Sequence, residues 1–160
     1  MKEKVPCKVL ILGSGPAGIS AAIYTARARL ETVVITGPSL GGRISLASEI
    51  DNYPGVTDNP SGTELMSRFI SQAEKFGAVL DYDTAIKVNL SGRPFEIETE
   101  GKIYLAENLI ITTGSRAVTM SVPGEKELTG SGVSYCATCD GFFFKDKKVA
   151  VVGGNNEAVE

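Results

Sequence analysis

Apolar residues along this chain change period several times, and each change marks an element. Residues 8–12 carry the run Val9-Leu10-Ile11-Leu12, which meets Gly13 at once and predicts a buried strand. After Gly13-Ser14-Gly15-Pro16-Ala17-Gly18, the residues Ile19, Ala22, Ile23 and Ala26 recur at helical spacing and predict one buried helix face. Residues 32–35 predict a second strand, so the chain opens as a βαβ unit. Asn52-Tyr53-Pro54-Gly55 is a turn signal. Ser61-Gly62-Thr63-Glu64 fits a capping box and opens a helix with Leu65, Phe69, Ala73 and Phe76 on its buried face. Gly77 stands where that helix should stop. From Ala78 onward strands are predicted at 79–82, 86–90, 95–99 and 103–105, with Ser91-Gly92-Arg93-Pro94 joining two of them as a hairpin or short meander. Residues 109–112 predict another buried strand closing on Thr113-Gly114, and residues 148–152 one more. There is no tandem repeat at solenoid spacing and no low-complexity segment.

The glycines between strand and helix turn this pattern into a candidate site. Gly13 permits a tight turn, Gly15 lets backbone approach a pyrophosphate, and Gly18 lets the helix pack closely on the strand. A helix N-terminus adds free N–H groups and a positive dipole end. The spacing predicts a dinucleotide turn. It does not decide between flavin and nicotinamide, because Thr36 stands where a ribose-binding carboxylate is usual. The glycines of Gly37-Pro38-Ser39-Leu40-Gly41-Gly42-Arg43 would let backbone lie against a flat or phosphorylated ligand; a flexible connection reads equally well. A second turn, Gly153-Gly154-Asn155-Asn156-Glu157-Ala158, has the same layout, but Asn155 replaces the middle glycine and should obstruct a pyrophosphate. The sequence ends at Glu160, just inside the helix expected there, and this predicts a piece of a longer protein.

Composition narrows the class. With 42% hydrophobic and 22% charged residues the chain reads as globular, and a net charge of −3 gives no reason to expect nucleic acid or an anionic membrane as partner. No apolar run is long enough to span a bilayer, and the short run after Met1 meets glycine too soon for a signal peptide, so the cytoplasm is expected. There are three cysteines and no histidine. Cys136-Ala137-Thr138-Cys139-Asp140 places two thiols where a disulfide ring can close and reopen. A closed zinc site needs four Cys/His ligands, which this chain cannot supply; two inert core thiols are the plain alternative. Thiol exchange also needs a proton handler, and without histidine Asp140 is the candidate, against the alternative of a turn residue before Gly141. Cys7 has no motif around it and reads as a buried or incidental thiol.

Both glycine turns, Gly41-Gly42-Arg43, Glu49-Ile50-Asp51-Asn52-Tyr53-Pro54-Gly55, Ile111-Thr112-Thr113-Gly114 and the block from Ser134 through Cys136 and Cys139 to Phe143 together resemble the N-terminal half of bacterial low-molecular-weight thioredoxin reductases. The resemblance implies an α/β fold: a Rossmann-like FAD-binding domain in three layers, with a parallel sheet and a β-meander, over residues 1–116. Residues 117–160 would begin a second, pyridine-nucleotide-type domain carrying the Cys-x-x-Cys pair. It further implies that Gly13, Ser14, Gly15, Pro16, Ala17 and Gly18 hold the FAD pyrophosphate, that Thr36, Gly41, Gly42, Arg43 and Asn52 line the rest of the flavin site, that Ala85 offers backbone to the adenine, and that Thr113 and Gly114 close it. Cys139 would face the flavin, Cys136 would attack the disulfide of thioredoxin or a similar protein, and Asp140 would be their acid/base. Family members are homodimers that draw electrons from NADPH; some relatives use ferredoxin instead. This chain departs at Arg43, where Gln is common, and at Asn155, which predicts poor use of NADPH. For these 160 residues alone, the expectation is weak FAD retention and no complete catalytic cycle, leaving a flavin-binding module.

Overall fold

A computed structural model describes residues 2–154 and 156–159. Asn155, read above as an obstruction in the second glycine turn, lies outside the described residues, as does Glu160. The chain forms two compact units, Met1–Gly114 and Ser115–Glu160.

In the first unit six strands form one sheet in the order β3-β2-β1-β6-β5-β4. Strand β1 (Glu3–Leu12) pairs in parallel with β2 (Thr32–Ile35) on one side and β6 (Lys102–Ile111) on the other. Strand β3 (Val79–Asp81) extends the parallel part beyond β2. Strands β4 (Ala85–Asn89) and β5 (Phe95–Thr99) run antiparallel and add the meander beyond β6. The unbroken apolar run of β1 follows from burial on both faces. Val9 and Ile11, with Val34, pack against Ile19, Ala22 and Ala26 of α1 (Pro16–Arg27) and Met66 and Ala73 of α2 (Gly62–Lys75). Leu10, Leu12 and Ile35 pack on the other side with Ile97, Tyr104 and Ala106 of the meander. This is the α/β arrangement expected, with a parallel sheet, an antiparallel meander continuing it and helices packed on it.

Local chemistry sets the element ends. Ser61 caps α2: its hydroxyl accepts the Glu64 amide at 3.2 Å, and the Glu64 carboxylate accepts the Ser61 amide at 2.8 Å. Gly77 follows the helix at φ +97°, a conformation that favours glycine. Two acids, one ending β3 and one just past it, bond to the β5–β6 region. Asp81 accepts the Tyr104 hydroxyl and, at 3.0 Å, the Lys102 ammonium. Asp83 accepts the amides of Thr84, Glu100 and Gly101 at 2.7, 3.2 and 3.0 Å. Cys7 lies buried at 4% exposure, and burial, reinforced by the charges of Glu31 and Glu107, pushes its thiol up to about 11.

Three expectations change. The strands expected at 103–105 and 109–112 are one continuous β6, because β1 offers a partner along its whole length. The polar residues that suggested a break are used sideways: Glu107 pairs with Lys8 at 2.6 Å, and the Asn108 amide donates to the Lys8 carbonyl at 3.1 Å. Phe76 is not on the buried face of α2; it caps the helix at the surface, with the Arg27 guanidinium 5.5 Å from its ring centroid. Residues 148–152 form no strand, and Val149, Val151 and Val152 are exposed. An apolar strand of this kind needs neighbouring strands and covering helices, and no described strand pairs with it.

Among the described residues, the second unit holds only short elements. These are α3 (Glu125–Leu128), α4 (Ala137–Asp140), α5 (Asn156–Val159), and a 3-10 turn at Gly141–Phe144.

Candidate functional site: a dinucleotide cradle and a disulfide turn

The first site forms where β1, β2 and β6 end together. Gly13 leaves β1 at φ +107°, and its amide donates to the Ile35 carbonyl at 2.9 Å. Thr112, just past β6, donates from its amide to the Leu12 carbonyl at 2.9 Å, and its hydroxyl donates to the same carbonyl at 2.7 Å. Gly18 packs directly on the Gly13 carbonyl and the Thr112 hydroxyl, leaving no room for a side chain. The close helix-to-strand packing expected of the third glycine is therefore present.

Gly15 has a different constraint. It is the N-cap of α1, in extended conformation, and a β-carbon there would meet Gly42 Cα at 3.9 Å and the Gly41 carbonyl oxygen at 4.0 Å, both ordinary contacts. The protein does not need glycine at this position for its own packing. What a β-carbon would fill is the open space at the start of α1, where no side chain caps the helix and Pro16 has no amide to offer. The amides of Ala17 and Gly18 belong to the first turn, which has no intrahelical acceptors. That is the requirement of a pyrophosphate, and the residues fit it.

The Gly41-Gly42 loop is brought to this cradle. The Ser14 hydroxyl, buried, donates to the Thr36 carbonyl at 3.0 Å and accepts the Gly41 amide at 3.2 Å. Gly41 and Gly42 have φ of +80° and +69°, and Gly42 lies against Gly15. The loop is thus a built wall of the cradle. Arg43 opens the 3-10 turn Arg43–Leu46 directly after it. Thr36 is buried, and its hydroxyl donates to the Gly37 carbonyl at 3.1 Å, so it is occupied within the turn. The Gly37 amide donates to the Asp83 carbonyl at 3.0 Å, which brings the start of β4, and with it Ala85, to the same edge. Thr113 and Gly114 follow Thr112 at the open end, with Gly114 at φ +70°. Asn52 is exposed in the loop before α2, whose ends are joined by the Ile50 amide and Pro60 carbonyl at 2.8 Å; no bond ties it to the cradle. Thr112 is the residue missed by reading the sequence. It stood in the block Ile111-Thr112-Thr113-Gly114 without a role of its own, and only the packing of β6 beside β1 places its hydroxyl against Gly13.

The second site is in the second unit. Cys136 and Cys139 are joined by a disulfide with Cα atoms 5.3 Å apart. Cys136 is the N-cap of α4, and its sulfur accepts the Cys139 amide at 3.2 Å. The Ser134 hydroxyl accepts the Cys136 amide at 3.0 Å and donates to the Asp140 carboxylate at 2.5 Å. Cys136 is half-buried and Cys139 exposed. Phe142 and Phe143, just beyond, are exposed with ring centroids 6.2 Å apart. Among the described residues no group of histidine, cysteine or carboxylate side chains could hold a metal ion. Nor is any helix there long and apolar enough to cross a membrane.

One chain thus carries both a glycine-built cradle at a helix N-terminus and a Cys-x-x-Cys disulfide closed within a single turn. Residues 7–160 match the family model of the pyridine nucleotide-disulphide oxidoreductases, and the chain belongs to that family. A thioredoxin reductase of Rickettsia felis is 49% identical over 98% of this chain and 51% of its own length. A solved thioredoxin reductase of Streptococcus pyogenes is 41% identical, with a TM-score of 0.80 over 88% of this chain and 46% of that one. A ferredoxin-flavin thioredoxin reductase of Clostridium acetobutylicum is 33% identical, with a TM-score of 0.64 over 98% of this chain and 54% of that one. The chain spans about half the length of these relatives.

Proposed function

We propose that this chain supplies the flavin cradle and the redox disulfide of a thioredoxin-disulfide reductase. The observation that carries the reading is the Cys136–Cys139 disulfide, closed in one turn beside Asp140, on a chain that also holds a dinucleotide cradle. Gly13 to Gly18, with Gly41 and Gly42, would hold the FAD pyrophosphate. Arg43, Asn52, Ala85, Thr113 and Gly114 would line the remainder, with Thr36 bracing the turn. A bound flavin supplies two-electron chemistry between a donor and a disulfide.

The protein's own part is thiol exchange. In the reduced dithiol, the Cys136 thiolate attacks one sulfur of the partner's disulfide, forms a mixed disulfide and expels the other sulfur. The Cys139 thiolate then attacks the Cys136 sulfur, which re-forms the intramolecular bond and releases the second partner thiol. Two electrons pass to the partner, and its two sulfurs take up two protons. The Cys139 amide aimed at the Cys136 sulfur favours negative charge there, which suits Cys136 as the attacking thiol. Asp140, one residue past Cys139 and held by Ser134, is the proton handler, and Cys139 would be the thiol that exchanges electrons with the flavin. The partner is thioredoxin or a thioredoxin-like protein, and the intact protein works as a cytoplasmic homodimer.

The test is disulfide reduction by the intact flavoprotein. Cys136→Ser and Cys139→Ser should each abolish turnover with a thioredoxin substrate while leaving the flavin spectrum in place. Full turnover by either variant would refute the assignment. A second reading concerns the donor. Asn155 in place of a glycine favours ferredoxin over NADPH. Flavin reduction by micromolar NADPH should then be slow in stopped-flow; fast reduction would restore NADPH as donor.

A further inference from the structure

The segment just before the disulfide is organised around a carboxylate that the thiol chemistry does not use. Glu125, at the start of α3, is 5% exposed. Its carboxylate accepts the Met120 amide at 2.9 Å, the Val122 amide at 3.4 Å and the Tyr135 hydroxyl at 2.8 Å. The Glu125 carbonyl accepts the Thr129 hydroxyl at 2.7 Å, so the acid is itself fixed. The Met120 amide first, and the Tyr135 hydroxyl next, hold its carboxyl below the usual carboxylate range, as expected of an ion with several donors.

Tyr135 is bonded through the backbone to Cys136 on one side and Ser134 on the other. The Ser134 hydroxyl accepts the Cys136 amide at 3.0 Å and donates its one proton to Asp140 at 2.5 Å, with the Cys136 carbonyl 3.2 Å away. Residues 134–136 are therefore gripped twice, by Glu125 through the ring of Tyr135 and by the hydroxyl of Ser134. We infer that Glu125 is a positioning residue for the redox pair, acting through Tyr135 to hold Cys136 where it meets Cys139. The inference rests on the redox role proposed for the pair. Holding two reacting groups in place raises the effective concentration of one at the other. The clamp therefore favours ring closure, and releasing it makes the disulfide easier to reduce.

The exchange to follow is protein disulfide plus two glutathione thiols giving protein dithiol plus glutathione disulfide. Two electrons pass to the protein, and the two thiol protons move with them. On the intact protein, the reduced fraction of Cys136 and Cys139 is read by alkylation and mass spectrometry across a glutathione series. Tyr135→Phe removes one hydroxyl and keeps the ring. Glu125→Gln keeps the shape and removes the charge. Each should lower the ratio of squared glutathione to glutathione disulfide at half-reduction by about threefold or more, equal to about 14 mV at about 30 mV per decade. The double variant should shift no further than the larger single, because both cut one connection.

Ser61→Ala, which weakens α2 without touching this segment, should leave the midpoint where it is, so the readout separates positioning from stability. Unmoved midpoints in the single variants, or shifts that simply add in the double variant, overturn the inference. Should Glu125→Gln fail to fold, Tyr135→Phe alone decides. The equilibrium needs neither electron donor nor protein substrate. A protein that shows the shift but reduces no thioredoxin would overturn the proposed function and not this one.

Discussion

Gly15 and Gly18 stand three residues apart and answer to different demands. Gly18 is held by the protein's own backbone, since a side chain there would strike the Gly13 carbonyl. Gly15 has room for a β-carbon among the protein atoms, and its φ of −69° suits any residue. Gly18→Ala should therefore cost at least about 1–3 kcal/mol by overpacking, read by urea unfolding. Gly15→Ala should leave the midpoint unchanged or raise it by about 0.4–1 kcal/mol through the unfolded chain. Yet in the intact protein it should weaken flavin retention by tenfold or more, about 1.4 kcal/mol. Equal loss of stability in both variants would mean that Gly15 is a packing glycine and the cradle is misassigned. The three glycines were legible because each meets a steric limit that any dinucleotide turn imposes. Thr36 was legible only as a position: sequence places it at the end of β2, but its inward rotamer depends on the Gly37 carbonyl beside it.

Among elements, α2 was the most readable, because both its ends carry local signals. Ser61 and Glu64 cap each other, and Gly77 ends the helix. Ser61→Ala should cost about 1 kcal/mol, visible as a shift in urea midpoint with unchanged slope. A variant as stable as the parent would show that packing of Leu65, Met66 and Ala73 alone holds the helix. Strand β6 was the least readable. Its centre carries Glu107 and Asn108, residues that read locally as a break, and the partner that keeps it extended lies about a hundred residues earlier. Pairing across such a separation leaves no local trace in composition. The reverse error at 148–152 has the same origin: an apolar pattern predicts a strand, but a strand exists only where another chain segment offers its ladder.

At the scale of the whole first unit, Asp81 at the end of β3 and Asp83 just after it tie that edge strand to β6 and to the turn between β5 and β6. Asp83 is held down to about 2 by the Thr99 hydroxyl first, and also by the amides of Gly101, Thr84 and Glu100. Its folded value lies below the value of about 3.9 for an unfolded aspartate. The stability it contributes is therefore complete above about pH 4 and is lost as the pH falls toward about 2. Asp83→Asn should flatten the dependence of thermal midpoint on pH across that window; an unchanged slope would show that other carboxylates govern acid unfolding. None of these ties was visible in sequence, where Asp81 is a polar residue within an expected strand and Asp83 one just after it. The disulfide pair was visible at once, because Cys-x-x-Cys is a local motif, whereas Glu125 reaches Tyr135 across a turn that only the folded unit defines.

Cys7 gives the molecule a convenience for chemical labelling. A thiol that is nearly buried and held at about 11 is almost wholly protonated at neutral pH, which slows its reaction with maleimides. After mild reduction, maleimides should therefore add twice, at Cys136 and Cys139, and a third time only when the first unit unfolds. These 160 residues thus carry a pair of addressable handles together with an internal reporter of the first unit's unfolding.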